Sequence, residues 1–209
     1  MTPLFKYMRK QHARLLLNDG KVRVGTLHEY RDTEAHGCVI GDDTEGTKNL
    51  FLDGHGETWT PASIPAFAKT FFELGHESSV TLEGIRLQVP QESPDFYLFC
   101  ASSEFNEHAL REFGYDACVS IDDPQRFFAA ISHRLRHKAS LEGVFHCQYR
   151  DRDAPHDSDD GTHPALIKHP KYKDQHEVRA LWRPQKESVR PVIIESRKAM
   201  QCCSPWYGL

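Results

Sequence analysis

Strand-length apolar runs recur along this chain out of step with its helical stretches, and that irregular order constrains the fold more than any other feature. Lys21 to Thr26 alternates Val22 and Val24 with polar partners, Phe96 to Ala101 is an apolar run, and Ala117 to Ile121 alternates again. Each has the length and period of a strand. Further strands are expected at Pro3 to Met8, Asn49 to Leu52, Val80 to Val89 (interrupted at Glu83-Gly84), Val144 to Tyr149, Tyr172 to Trp182 and, last, Val189 to Glu195. Helices are few. Arg9 to Asn18 has an inward stripe of Ala13, Leu16 and Leu17 and a stop at Gly20. Pro61 to Leu74 has room for a short helix, and Glu104 to Glu112 for another that ends at Gly114. Phe127, Phe128, Ile131 and Leu135 line a helix capped by Asp122 or Asp123, with Pro124 in its first turn. Many strands and three to four helices without regular βαβ alternation predict an α+β fold with a largely antiparallel sheet.

A length of 209 residues suits one core, so a single domain over residues 1–209 is expected. The net charge of -4 gives no general electrostatic footprint for duplex nucleic acid. No apolar run has membrane-spanning length and the first residues do not read as a secretory signal, so no membrane partner and a cytoplasmic location are expected. Six scattered cysteines, at 38, 100, 118, 147, 202 and 203, read as reduced thiols in a chain too large to need stapling. The polar stretches 31–47 and 150–164 read as surface loops. The first, with Arg31, Asp32, Asp42, Asp43 and Glu45, is either a plain excursion or a lid beside a cleft.

The segment Tyr172 to Trp182 is the one most suited to chemistry. Alternate strand residues share a face, so Gln175, Glu177 and Arg179 are expected to project together, with His176, Val178, Ala180 and Trp182 opposite them. The plain reading of Glu177 is a surface carboxylate paired with Arg179 or Arg183. Two other segments add to the functional reading: Leu4-Phe5-Lys6-Tyr7-Met8, and Phe99-Cys100-Ala101-Ser102-Ser103.

Together with Gln175-His176-Glu177, these segments resemble a widespread bacterial family of domains of unknown function. They also look like the core of the ADP-ribosyltransferase superfamily. That resemblance implies a split sheet with NAD bound between its halves and a macromolecular acceptor, protein or nucleic acid. It further implies the kind of enzyme found among bacterial toxins and phage-defence effectors, with a neutralising partner. Carried onto this sequence, Glu177 is the catalytic carboxylate and Gln175 orients the acceptor. Ser102 and Ser103 support the ribose or the glutamate, Tyr7 stacks on nicotinamide, Lys6 or Arg9 meets the pyrophosphate, and Arg179 stands beside them. The chain departs from the superfamily pattern in having Phe5-Lys6-Tyr7 where an Arg or His is usual, and Ala-Ser-Ser where Ser-Thr-Ser is usual.

Three other chemistries are weighed. The competing class is a noncatalytic binding or regulatory module on the same fold. A metal-dependent nuclease ranks lower, because Asp95 and Glu195-Ser196-Arg197-Lys198 lack the usual Glu-x-Lys spacing. The thirteen histidines, including His146, His156 and His163, show no spacing that fixes a metal site, and no phosphate-binding glycine loop or nucleophile elbow is present.

Overall fold

In a computed structural model that describes residues 2–32 and 42–209, β5 (Tyr97–Ser102) is the strand around which everything else is arranged. One edge of β5 is paired along its full length by β11 (Glu177–Pro184), from Glu177 opposite Ser102 to Trp182 opposite Tyr97. The other edge is shared by two strands. β1 (Leu4–Met8) meets it at Ser102 through Phe5, and β2 (Lys21–Thr26) meets it at Leu98 and Tyr97 through Gly25 and Thr26. Both run antiparallel to β5 and would compete for its middle residues, so they splay apart. β1 leaves with β6 (Ala117–Ile121) and β13 (Cys203–Tyr207), and β2 leaves with β12 (Val192–Glu195). The sheet therefore splits above Phe99 and Cys100.

One face of this sheet is covered by helices. In α1 (Lys10–Asp19), Ala13 and Leu16 face inward, and Gly20 ends the helix at φ 67° with its N–H on Leu15 and Leu16 carbonyls. α2 (Glu107–Glu112) starts at Asn106, whose side chain accepts from the His108 and Ala109 N–H groups. α3 (Pro124–Leu135) is capped by Asp123 and buries Phe127, Phe128, Ile131 and Leu135. With the short α4 (Arg197–Met200), α1 and α3 close over Val22, Phe99, Val119, Val178, Ala180 and Trp182 to form the main core. Five of the cysteines, at 100, 118, 147, 202 and 203, are free thiols, and Cys38 lies outside the described residues.

The mixed α+β class and the antiparallel sheet are as expected; several elements differ. The stretch Tyr172 to Trp182 is not one strand: Pro170–Gln175 is a 3-10 turn, His176 sits at φ 44° and ψ 45°, and the strand begins at Glu177. Asn49 to Leu52 is the middle of a longer strand, β3 (Thr47–Trp59); Val80 to Val89 lies in β4 (Val80–Glu92), whose pairing with β3 shifts register next to Glu83-Gly84, where an interruption is expected. Between them, Pro61 to Leu74 holds only a 3-10 turn at Ala68–Thr70. Val144 to Tyr149 divides into β7 (Ala139–His146) and β8 (Gln148–Tyr149). Val189 to Glu195 is not the last strand, because α4 and β13 follow it. The 150–164 stretch contains β9 (Asp153–Pro155), which runs parallel to β3. β3, β4 and β9 form a separate sheet with its own small core of Trp59, Ile64, Ala68, Leu82 and Leu87.

Among the described residues no helix is long and apolar enough to cross a membrane, and no group of three His, Cys, Asp or Glu residues is placed to hold a metal ion.

Candidate functional site in the split of the sheet

The sheet face opposite the main core is apolar at both ends and charged in the middle. Leu98 and Leu181 pack with Leu27, Phe96 and Ala165 at one end, and Tyr7 and Cys118 pack with Leu110 at the other. Between them lie Glu177, Arg179 and Lys168, all buried. Lys168 comes from β10 (Ile167–Lys168), a two-residue strand that pairs in parallel with β8. Its ammonium donates to Glu177 Oε2 at 2.6 Å and to Gln175 Oε1 at 2.7 Å. Arg179 Nε donates to Glu177 Oε1 at 2.6 Å, and its two terminal nitrogens clamp Glu45 at 2.8 and 2.9 Å. Glu45 is 4.0 Å from Arg152, which itself holds Asp42 at 2.7 Å.

Buried charges persist only when paired and hydrogen-bonded, and this network pairs them by alternation. Burial alone would raise the Glu177 carboxyl, but the charges of Arg179 and Lys168 outweigh it and hold the group well below the usual carboxylate range. Glu177 is therefore a permanent anion. Burial alone would lower the Lys168 amine, and the Glu177 charge reverses that and raises it.

Lys6 is different. It donates to the Cys100 carbonyl at 2.6 Å and lies 4.8 Å from the centre of the Phe99 ring, at the point where β1 and β2 part. Among the described residues no carboxylate comes within ion-pair distance of its ammonium, and burial lowers its pKa from the ordinary lysine value. Part of its surface is open to a cavity. With Lys168 and Arg179 balanced by Glu177 and Glu45, Lys6 is the unmatched charge of the site.

The cavity has two lobes. One, of about 90 Å³, is walled by Tyr7, Ser102, Gln175 and Glu177. The other, of about 220 Å³, opens between β1 and β2 and is walled by Leu16, Val22 and Phe99 with Arg23 at its edge. Lys6, Tyr7, Tyr30, Cys100 and Tyr115 line both and so form the waist.

Four of the sequence-derived site residues meet here as expected: Tyr7, Lys6, Ser102 and Glu177 share one cavity. Gln175 joins them by another route, because it is not on the strand of Glu177 and reaches it through the shared Lys168 ammonium. The Tyr7 hydroxyl donates to the Glu104 carbonyl at 3.0 Å and accepts from the Asn106 N–H at 2.7 Å. The Ser102 hydroxyl donates to the same carbonyl at 2.6 Å.

Ser103 and Arg179 sit differently from these residues. Ser103 does not line the cavity; its N–H and hydroxyl bind the His176 carbonyl and hold the corner that precedes β11. Arg179 is 1% exposed, and its guanidinium is engaged by Glu45, Glu177 and the Ala165 carbonyl. It lines the cavity only as a covered side chain and holds Glu177 in position. The plain reading of Glu177 as a surface ion pair also fails, since Glu177 is buried and Arg183 is paired with Glu142.

Lys168 was not legible as a site residue, and Glu45 only as one member of the loop read as a lid or acceptor-contacting loop. Lys168 ends the apolar run Ala165-Leu166-Ile167, which hints at burial and hence at an anionic partner. Glu45 had no such signal, because it sits in the polar 31–47 stretch. Of that stretch residues 33–41 lie outside the described residues, so its reading as a lid is not addressed. No family model, curated protein or solved structure matches this chain.

Proposed function

We propose that the chain is an ADP-ribosyltransferase-like enzyme that uses NAD as a substrate and transfers ADP-ribose to a macromolecular acceptor. One observation carries the reading. Lys6 and Tyr7 from β1, Ser102 from β5, Gln175 from a 3-10 turn and Glu177 from β11 converge on a single cavity at the split of the sheet.

The cavity's residues fit such a ligand. Two lobes with tyrosines at a cationic waist suit a molecule with ring systems at both ends and an anionic link between them. Lys6, the one unmatched ammonium, would hold the pyrophosphate. In the transfer, the bond from the ribose anomeric carbon to nicotinamide breaks and a bond to the acceptor nucleophile forms. Nicotinamide leaves with the electron pair, and the acceptor's proton passes to solvent. Positive charge builds on the ribose, and a carboxylate held ionised beside it stabilises that charge. Glu177 meets this requirement, with Lys168, Arg179 and Gln175 fixing its position.

A second reading, a binding module without chemistry, draws on one feature. Both Glu177 oxygens already accept a charged donor, which leaves fewer lone pairs for a ribose hydroxyl.

Thermal shift and nicotinamide release on wild type and Glu177→Gln separate the two. The Gln variant keeps the shape of the side chain and is expected to stay folded, retain the NAD-dependent shift and release nicotinamide at least about 100-fold more slowly. An NAD shift without nicotinamide release in the wild type supports the binding module. Neither shift nor release from folded wild type sinks both as NAD proteins. Glu177→Ala is the poorer probe, since it leaves the buried Lys168 ammonium without its carboxylate at a cost of about 3–5 kcal/mol.

A further inference from the structure

A chain of aromatic rings runs from the cavity wall to solvent. Phe5 and Tyr7 line the smaller lobe. Phe5 lies edge-on to Trp206 at 5.0 Å, and Phe105 is 6.0 Å from Phe5, 6.1 Å from Trp206 and 6.1 Å from Tyr7. Trp206, on β13, is 54% exposed. A large exposed ring in contact with a residue of the cavity wall is the kind of anchor that carries binding energy at interfaces.

The charge around these rings selects the partner. Residues 104–116 hold four carboxylates, Glu104, Glu107, Glu112 and Asp116, against the single arginine Arg111. The Glu104 carboxylate is 68% exposed and rises from the cavity wall, because its own carbonyl accepts the Tyr7 and Ser102 hydroxyls. The Arg111 guanidinium stands beside Glu107 already, and the His108 and His176 imidazoles lie 3.6 Å from Glu112 and 3.7 Å from Glu104. Arg9 and Lys10 lie past the far end of β1 from Phe5. A phosphodiester backbone would meet the exposed Glu104, Glu107 and Glu112 carboxylates here, with Arg111 already paired. An arginine or lysine would find the opposite: an exposed indole face for a cation–π contact and carboxylates for pairing.

We infer that this aromatic and acidic rim docks a cationic segment of a partner protein, with an arginine or lysine side chain over Trp206 and a second beside Glu104. If the transfer reading holds, the acceptor class is then a basic protein segment and not a nucleic acid. That step rests on the transfer reading, whereas the docking surface does not.

The test is fluorescence anisotropy with a labelled twelve-residue peptide of alternating arginine and glycine, and with a labelled fifteen-nucleotide oligothymidine. Wild type is expected to bind the peptide and not the oligothymidine. Trp206→Ala should weaken peptide binding roughly fivefold or more, Trp206→Phe less, and Glu104→Gln about twofold. Melting curves show whether each variant is folded, and Trp206→Phe with Glu104→Gln keeps the test decisive if Trp206→Ala does not fold. Absence of peptide binding overturns the inference, as does peptide binding that ignores these folded variants or tighter binding of the oligothymidine. NAD-dependent thermal shift is read in parallel. Peptide docking without an NAD shift sinks the transferase and leaves the surface standing; an NAD shift without docking sinks the surface alone.

Discussion

A lysine ammonium seated against a phenylalanine ring and one carbonyl works against folding, because burial outweighs the attraction of nearby charges such as Glu177 and, among the described residues, no carboxylate reaches ion-pair distance. Such an arrangement makes sense where a ligand brings the missing anion. Lys6→Met, which keeps the length of the side chain and removes the charge, should leave the melting temperature of the free protein unchanged or higher and abolish its NAD-dependent shift. Thermal unfolding with and without NAD checks both halves; a large loss of stability in the free protein would make Lys6 a structural residue. At this scale the sequence was a fair guide to residue types and a poor one to roles. It singled out Lys6, Tyr7, Ser102 and Glu177, which share a cavity. It also placed Arg179 among the ligand contacts, whereas the arginine is enclosed by Glu45, Glu177 and the Ala165 carbonyl. Nothing in a strand's alternation tells that one of two neighbouring polar side chains will be covered by a carboxylate from more than 130 residues away.

The element with the largest disagreement is the one that carries the catalytic candidates. Alternation across Tyr172 to Trp182 holds from Glu177 onward, where Val178, Ala180 and Trp182 enter the main core. Before that point Pro170 opens a 3-10 turn, with the His169 ring nitrogen accepting from the Lys171 N–H. His176 then turns the chain through the left-handed region, which residues other than glycine adopt at a cost of about 1–2 kcal/mol. The Ser103 N–H bond to the His176 carbonyl, at 2.9 Å, holds this corner. It brings Gln175 and Glu177 to the same ammonium although they belong to different elements. His176→Gly relieves the backbone and is expected to leave stability equal or about 0.5–1 kcal/mol higher, while the β-branched His176→Val should lose about 1–2 kcal/mol. Denaturant titration of the pair measures the difference, and equal stabilities would mean that the corner carries no strain. By contrast α3 was legible almost to the residue, because its cap, its proline and its apolar stripe are all local signals.

On the scale of the whole molecule, the buried charges link stability to pH. The folded pKa values of Glu177 and Asp42 are depressed from ordinary values of 4.5 and 3.8: at each, burial acts upward and is outweighed, at Glu177 by Arg179 and Lys168, at Asp42 by bonds to Thr44 and the charge of Arg152. A carboxyl whose folded pKa is depressed adds stability above its unfolded pKa and loses it as pH falls through the folded one. Burial lowers His163 from its ordinary 6.5, so this imidazole also favours the fold at higher pH and adds a small loss as pH falls below that value. The melting temperature should therefore be level near neutrality, ease slightly below about pH 6.5, and fall steeply below about pH 4.5. Melts recorded by circular dichroism from pH 7 to pH 3 test this, and Glu177→Gln should flatten the acid limb. A melting temperature unchanged down to pH 3 would show that the buried network is not what the acid limb reads.

Local pattern alone determined the α+β class, the antiparallel habit, the capped helix α3 and the residue types suited to a site. These depend on neighbours within a few positions, and the amino-acid order records them directly. The tertiary structure decided the rest. Two strands compete for one edge of β5 and open the cleft. Lys168 and Glu45 arrive from distant segments to fix Glu177, and among the described residues no carboxylate reaches ion-pair distance of Lys6. Strand pairing and buried ion pairs join residues far apart in the chain, and a single sequence carries no periodic signal for which distant partners will meet.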